Sequence, residues 1–235
     1  MTKQPAQSPR GFWYRVLEIL LRPLLLALTK RDWRGGEYLQ KPGGVVVAMN
    51  HLSYFDPLVA AHFCHDNGRP PRFMAKAELF RVPVVGTILK GARQIPVHRG
   101  SADASASLTS AIEALNRGEC IVVYPEGTIT RDEDFWPMTG KTGVARIALK
   151  TGCPVIPAAQ WGPQEVINPR TKSIRPFPRK TMHVWAGPEV DLDDLREQPM
   201  TATVLREATA RIMQAVTDLL AQQRGEVPPL KSQDS

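Results

Sequence analysis

The sequence predicts an α/β fold: a central, mostly parallel or mixed sheet with helices on both faces, preceded by an N-terminal amphipathic helical segment suited to a membrane interface. Three observations predict it. Short β-branched runs such as Val45–Met49 (VVVAM) lack polar alternation, as strands buried on both faces do. Stretches of helical periodicity separate these runs, which fits crossover connections rather than hairpins. The first 34 residues join an apolar stretch to seven basic groups.

The elements follow in chain order. Residues 12–29 read FWYRVLEILLRPLLLALT, broken by Arg15, Glu18 and the Arg22-Pro23 pair. A bilayer span needs about 20 mostly uncharged residues, and a cleavable leader needs small residues at its end, so neither fits. An amphipathic helix or kinked hairpin in the lipid interface accommodates both the leucines and the arginines. The alternative is a helix packed on the core. Residues 30–34 read as a charged junction. Gly43-Gly44 then releases the strand Val45–Met49, and residues 57–63 read as a helix with Asp56 as N-cap, Pro57 at its first position and Asn67-Gly68 as its stop. Residues 72–75 and Ile95–Val97 are further strands. Residues 105–117 form an amphipathic helix, with Leu108, Ile112 and Leu115 inward, closed by Gly118. A strand at 120–124, a helix at 144–150, strands at 155–159 and 182–185 and a long helix at 203–220 complete the pattern. The domain plan is a membrane-association segment (1–34), an α/β domain (35–221) and a flexible tail (222–235).

The 235 residues carry 30 Lys+Arg against 23 Asp+Glu, a net charge of +7. The excess is local. Residues 1–34 hold seven basic and two acidic groups, and residues 165–180 hold five and one, whereas residues 35–164 hold thirteen and eleven. A nearly balanced centre without a recognition motif argues against nucleic acid as a partner. Cys64, Cys120 and Cys153 are odd in number and widely spaced, so they offer neither a disulfide framework nor a metal clip. His62 and His65 share a helix face, but Cys64 points elsewhere and no further ligand cluster follows, so a metal site there is a weak reading and none is expected.

In open α/β sheets the working residues collect beyond the carboxyl ends of the strands. After the first buried strand stands Asn50-His51-Leu52-Ser53-Tyr54-Phe55-Asp56. A turn and a helix start can fold this segment back so that Asp56 reaches one imidazole nitrogen of His51, leaving the other free to accept a proton. The plainer alternative is that Asp56 only caps the helix and His51 is a loop histidine. After the strand at 120–124 comes Glu126-Gly127-Thr128-Ile129-Thr130-Arg131, where a permissive backbone, a hydroxyl and a cation can cradle a phosphate monoester. Lys76 and Arg99 add cations after two other strands. Ser53 lies too close to His51 to read as a nucleophile, and no Gly-x-Ser-x-Gly elbow exists.

Taken in order, Asn50-His51-x-Ser53-x-x-Asp56, Ile95-x-x-x-Arg99, Glu126-Gly127-Thr128 and Val155-Ile156-Pro157 resemble the bacterial 1-acyl-sn-glycerol-3-phosphate acyltransferases of the glycerolipid acyltransferase family, over about residues 40–165. The resemblance implies that His51 is the catalytic base and Asp56 its partner. It also implies that Asn50, Ser53, Lys76, Arg99, Glu126, Gly127, Thr128 and Arg131 line the substrate. The implied reaction moves a fatty acyl group from acyl-CoA or an acyl carrier protein thioester to the 2-hydroxyl of lysophosphatidic acid, giving phosphatidic acid for phospholipid synthesis. No cofactor is implied, and the implied location is the cytoplasmic face of the plasma membrane, peripheral or monotopic on its anionic surface. The family has Arg directly after Glu-Gly-Thr where this chain has Ile129, so Arg131 is expected to take over its contact, or the lyso-lipid acceptor differs. A non-catalytic membrane-binding protein is the remaining reading.

Overall fold

The computed structural model describes residues 11–97 and 104–229. Seven strands form one sheet: β1 (Thr29–Arg34), β2 (Val45–Met49), β3 (Pro71–Lys76), β4 (Ile95–Val97), β5 (Cys120–Val123), β6 (Val155–Trp161) and β7 (Lys180–Ala186), in the order β1-β7-β6-β2-β5-β3-β4. All neighbouring pairs are parallel except β6 with β7. The fold is therefore the α/β fold with a mostly parallel, mixed sheet that the unalternating apolar runs predict.

The helices are α1 (Phe12–Leu28), α2 (Asp56–Asp66), α3 (Val85–Gly91), α4 (Ala104–Asn116), α5 (Gly143–Thr151), the single turns α6 (Pro163–Val166) and α7 (Asp193–Arg196), and α8 (Ala202–Arg224). Alternate residues of β2 serve opposite faces. Val46 and Ala48 join Leu115, Ile147, Leu205 and Ile212 from α4, α5 and α8, while Val45, Val47 and Met49 join Val59 and Phe63 of α2. At about 25 cal/mol for each Å² of apolar surface removed from water, these two layers are the main support of the sheet. They hold the carboxyl ends of β2, β3, β4, β5 and β6 along one edge.

Three expectations need correction, and one helix was unforeseen. Residues 30–34 are not a junction: β1 is an edge strand pairing in parallel with β7, and edge exposure explains its polar sequence. Asp56 is not the N-cap of α2 but its first residue, with Phe55 at the cap position. The helix α3, preceded by a 3-10 turn at Ala77–Arg81, lies where the sequence offered no periodic signal. Finally, α8 runs through Arg224, so the tail does not begin at 222.

The helix α1 meets the body through both polar and apolar side chains: the Tyr14 hydroxyl is hydrogen-bonded to His65 Nδ1 at 3.1 Å, Glu18 lies 3.3 Å from His65 Nε2 and Arg22 donates to Asp66 at 3.5 Å, while Trp13, Val16, Leu17 and Leu21 are half-buried. Leu25 is its only buried side chain, whereas Phe12, Ile19, Leu20 and Leu24 are exposed. No helix among the described residues is long and apolar enough to cross a membrane.

Candidate active site

The segment after β2 turns sharply because one carboxylate gathers it. Asp56 Oδ2 accepts hydrogen bonds from the backbone N–H of Leu52 and of Ser53 (2.9 Å) and lies 2.7 Å from His51 Nδ1. A carboxylate only accepts, so Nδ1 carries the proton and Nε2 presents its lone pair. The Asp56 side chain is fully buried while that of His51 keeps 17% of its surface, so the pair is open to a substrate from the imidazole side alone. Burial pushes the Asp56 carboxyl above its ordinary value, opposed by the His51 contact and the two backbone donors. The His51 ring stacks on Tyr124, with centroids 4.3 Å apart and planes 17° from parallel, which fixes the rotation that the hydrogen bond leaves free. Burial keeps the Tyr124 phenol well above its ordinary range and hence neutral.

The loop after β5 supports the same histidine from below. Glu126 is buried, and its two oxygens accept from the backbone N–H of His51 (2.9 Å) and of Met138 (3.0 Å), tying both loops together. The His51 carbonyl accepts from Thr130 N at 2.8 Å, and the Thr130 hydroxyl donates to the Trp136 carbonyl at 2.7 Å. Burial pushes the Glu126 carboxyl up to about 7, against the pull of the Met138 and His51 N–H groups. Gly127 adopts φ +70°, and a Cβ placed there would meet Lys141 Cε at 3.1 Å and Nζ at 3.2 Å, so the Lys141 chain crosses over this turn.

The remaining residues divide into scaffold and edge. Asn50 is buried: its Oδ1 accepts from Gln160 N (2.8 Å), its Nδ2 donates to the Gln160 carbonyl (3.1 Å), and Gln160 Nε2 donates to the Asn50 carbonyl (2.8 Å). This reciprocal pair staples the end of β2 to that of β6. Ser53 is also buried, donating through Oγ to the Ile167 carbonyl at 2.6 Å and accepting from Phe55 N at 3.1 Å. Asn50, Ser53 and Glu126, expected to line the substrate, are buried here and make backbone bonds that residue type alone does not disclose. Lys76 is exposed at the end of β3, the strand beside β5, and Arg131 is exposed on the 124–142 loop. Arg99 lies outside the described residues.

Sequence reasoning missed Gln160, Tyr124 and Lys141. Gln160, an amide closing the apolar run of β6, carried a readable signal, since a buried amide requires partners. It also missed how the 124–142 loop is held. Arg170 donates to the carbonyls of Asp132 (2.7 Å) and Glu133 (2.6 Å), and Arg224 lies between Trp136 and Trp161, 4.2 and 4.5 Å from their centroids, donating to the Asp134 carbonyl at 2.6 Å. Among the described residues no group of His, Cys, Asp and Glu can hold a metal ion.

Comparison with known proteins gives a consistent picture. A family model described as Acyltransferase matches residues 30–161. A 1-acyl-sn-glycerol-3-phosphate acyltransferase from Borreliella burgdorferi is 34% identical over 139 residues, 59% of this chain and 54% of that protein. A lyso-ornithine lipid O-acyltransferase from Pseudomonas aeruginosa is 32% identical over 111 residues, 47% of this chain and 40% of that protein. The chain thus spans about half the length of the curated relatives it matches. The crystal structure of the 1-acyl-sn-glycerophosphate acyltransferase from Thermotoga maritima superposes with a TM-score of 0.68 at 23% identity, covering 92% of this chain and 81% of that one, and so shares its fold.

Proposed function

This chain belongs to the acyltransferase family, and from that premise we propose that it transfers a fatty acyl group from an acyl thioester to the sn-2 hydroxyl of 1-acyl-sn-glycerol-3-phosphate, on the cytoplasmic face of the membrane. The carrying observation is the 2.7 Å contact between His51 Nδ1 and the buried Asp56 carboxylate, with the far side of the imidazole accessible at the carboxyl edge of the sheet. In the proposed step His51 Nε2 takes the hydroxyl proton as the oxygen attacks the thioester carbonyl. Asp56 stabilises the imidazolium. Collapse of the tetrahedral intermediate breaks the C–S bond, and the proton returns from Nε2 to the departing thiolate, so that ester and thiol are the products and the histidine is restored. No acyl-enzyme is required. Ser53 Oγ, engaged with Ile167 and Phe55, is placed for structure rather than attack.

For the acceptor phosphate the reading uses Lys76, Arg131 and the turn at Gly127-Thr128. Lys141, crossing Gly127, adds a cation on the loop where Ile129 replaces the family arginine. Acyl-CoA is the proposed donor, with acyl carrier protein thioester as the alternative. Membrane association is supported by α1, which leaves Phe12, Ile19, Leu20 and Leu24 exposed beside the exposed Arg15 and Arg22.

A second acceptor is favoured by Ile129 specifically: a lyso-lipid without a phosphate monoester has less need of an arginine there, and the Pseudomonas aeruginosa relative is named for such an acceptor. One assay decides. The purified chain is supplied with lysophosphatidic acid or lyso-ornithine lipid and with acyl-CoA or acyl carrier protein thioester, and the position of the new ester is determined. Phosphatidic acid formed by the wild type and lost in His51→Ala supports the proposal. Absence of acyl transfer to any acceptor, or an unaffected His51→Ala variant, overturns it.

A further inference from the structure

Exposed large apolar side chains concentrate on two elements of this molecule. One is the outer side of α1. The other lies inside the α/β domain, where Leu79, Val82, Val84 and Val85 are exposed by between 42% and 71% within seven residues, although Ala77 and Gly86 at either end are buried. The segment is anchored at both ends and pushes its apolar groups outward. Water-facing loops are ordinarily polar, and a contiguous apolar patch marks a contact surface.

The backbone there is strained. Val84 has φ +66° and ψ −58°, and Val85 N donates to the Pro83 carbonyl at 2.7 Å, which makes a γ-turn of the rare positive-φ form. A β-branched residue is the worst suited to this conformation, and glycine would relieve it. A valine at the tip is explained if its isopropyl group has a use outside the fold.

Charge and position identify the partner. Residues 76–93 contain Lys76, Arg81, Lys90 and Arg93 against Glu78 alone. A cleft of about 420 Å³, lined by Ala77, Phe80, Arg81, Lys90, Gln94 and Pro96, opens within the same segment. The segment is also continuous with α1: α3 packs against it, and Trp13 lies so close over Gly91 that a Cβ there would sit 2.0 Å from the indole. Apolar tips ringed by cations are the chemistry of an anionic phospholipid surface.

We propose that the 79–85 loop is a second lipid-contacting element that inserts Leu79, Val82, Val84 and Val85 into the leaflet on which α1 lies. The segment begins directly after Lys76, at the carboxyl edge of the sheet, so its insertion turns that edge toward the headgroups. An acceptor then reaches His51 without leaving the leaflet. This rests on the reading that α1 is interfacial.

The test uses the full chain and vesicles of phosphatidylcholine mixed with phosphatidylglycerol. Wild type is compared with a loop variant (Val82→Asn, Val84→Gly, Val85→Asn), with Val84→Gly alone and with an α1 variant (Ile19→Ser, Leu20→Ser). Loss of three apolar side chains is expected to weaken the loop variant's partition about tenfold or more. Its turnover of a dispersed short-chain acceptor should be unchanged, and Val84→Gly alone should not lower the thermal midpoint. A loop variant that partitions like wild type while the α1 variant is released overturns the proposal and leaves α1 interfacial. Wild type that does not sediment with vesicles overturns both. Partition lost in the loop variant, with no acyl transfer to any acceptor by wild type, supports the surface and overturns the enzymatic reading. A change of oligomeric state in the loop variant at constant partition makes the patch a protein contact and overturns it.

Discussion

At the scale of single residues, the site is one imidazole held by four partners: Asp56 orients Nδ1, Tyr124 stacks on the ring, Glu126 holds its backbone N–H and Thr130 its carbonyl. Removing the proposed base, His51→Ala, is expected to lower kcat by about 10²–10⁴ with vesicle binding intact, because general base catalysis contributes on that order. Steady-state kinetics beside co-sedimentation checks it. Glu126 yields a prediction in pH. Its carboxyl titrates at about 7 in the folded chain against an ordinary 4.5, because burial disfavours its charged form. The folded state therefore holds the proton more tightly, and this contribution to stability is complete below about pH 4.5 and is lost as pH rises through about 7. Glu126→Gln should abolish that slope in a plot of thermal midpoint against pH. It should also destabilise the chain by about 1–3 kcal/mol, since the amide NH₂ faces one of two backbone donors and leaves it unpaired. The His51–Asp56 pair was legible in the sequence because both groups lie on one short turn. The roles of Asn50, Ser53 and Glu126 were not, because they are defined by backbone groups of residues 160, 167 and 138, brought close only by the sheet.

At the scale of elements, legibility followed burial. The strands β2, β5 and β6 are apolar because both faces are covered, and each was readable. The strand β1 was not, since at the edge of the sheet it needs only backbone pairing, and its Asp32 instead binds His183 Nδ1 at 2.8 Å and Trp185 Nε1 at 3.1 Å on β7. The end of α8 was hidden for a related reason: Arg224 looks like a helix-terminal surface charge, yet its side chain is 8% exposed between two tryptophans. It fixes the loop that carries Arg131. Arg224→Ala is expected to cost about 1–2 kcal/mol in stability through the lost ring contacts and carbonyl bond, and to raise KM for the lyso-acceptor more than for the thioester. Lysine at 224 should not rescue it, because an ammonium group lacks the planar fork that stacks and donates together. Arg131→Ala should give the same skew toward the acceptor without the loss of stability, being exposed. Denaturation curves and separate titrations of the two substrates distinguish the pair.

At the scale of the whole molecule, the question is how a protein with no helix long and apolar enough to span a membrane, among its described residues, would meet the lyso-lipid acceptor proposed for it. The contacts of α1 with His65 and Asp66 hold that helix on the body with Ile19, Leu20 and Leu24 outward, and Arg15 and Arg22 are exposed on the same helix. Attraction to anionic headgroups is screened by salt, the Debye length falling from about 10 Å at 0.1 M to about 3 Å at 1 M, whereas the apolar insertion is not screened. Partition onto phosphatidylglycerol-containing vesicles should therefore weaken with salt toward a plateau rather than vanish. A truncation that tests α1 has to stop at Leu28, since β1 begins at Thr29 and belongs to the sheet. Leu25 is the only buried side chain such a truncation removes from α1, so the remaining chain should stay folded. The site is built wholly from residues beyond it. Turnover of a dispersed short-chain acceptor should accordingly persist in the truncated chain, while turnover of an acceptor embedded in vesicles falls by about tenfold or more, the loss expected when several apolar side chains no longer enter the leaflet. Measured side by side, equal losses on both acceptors would assign α1 to folding, and a loss confined to vesicles assigns it to delivery of the enzyme to its substrate.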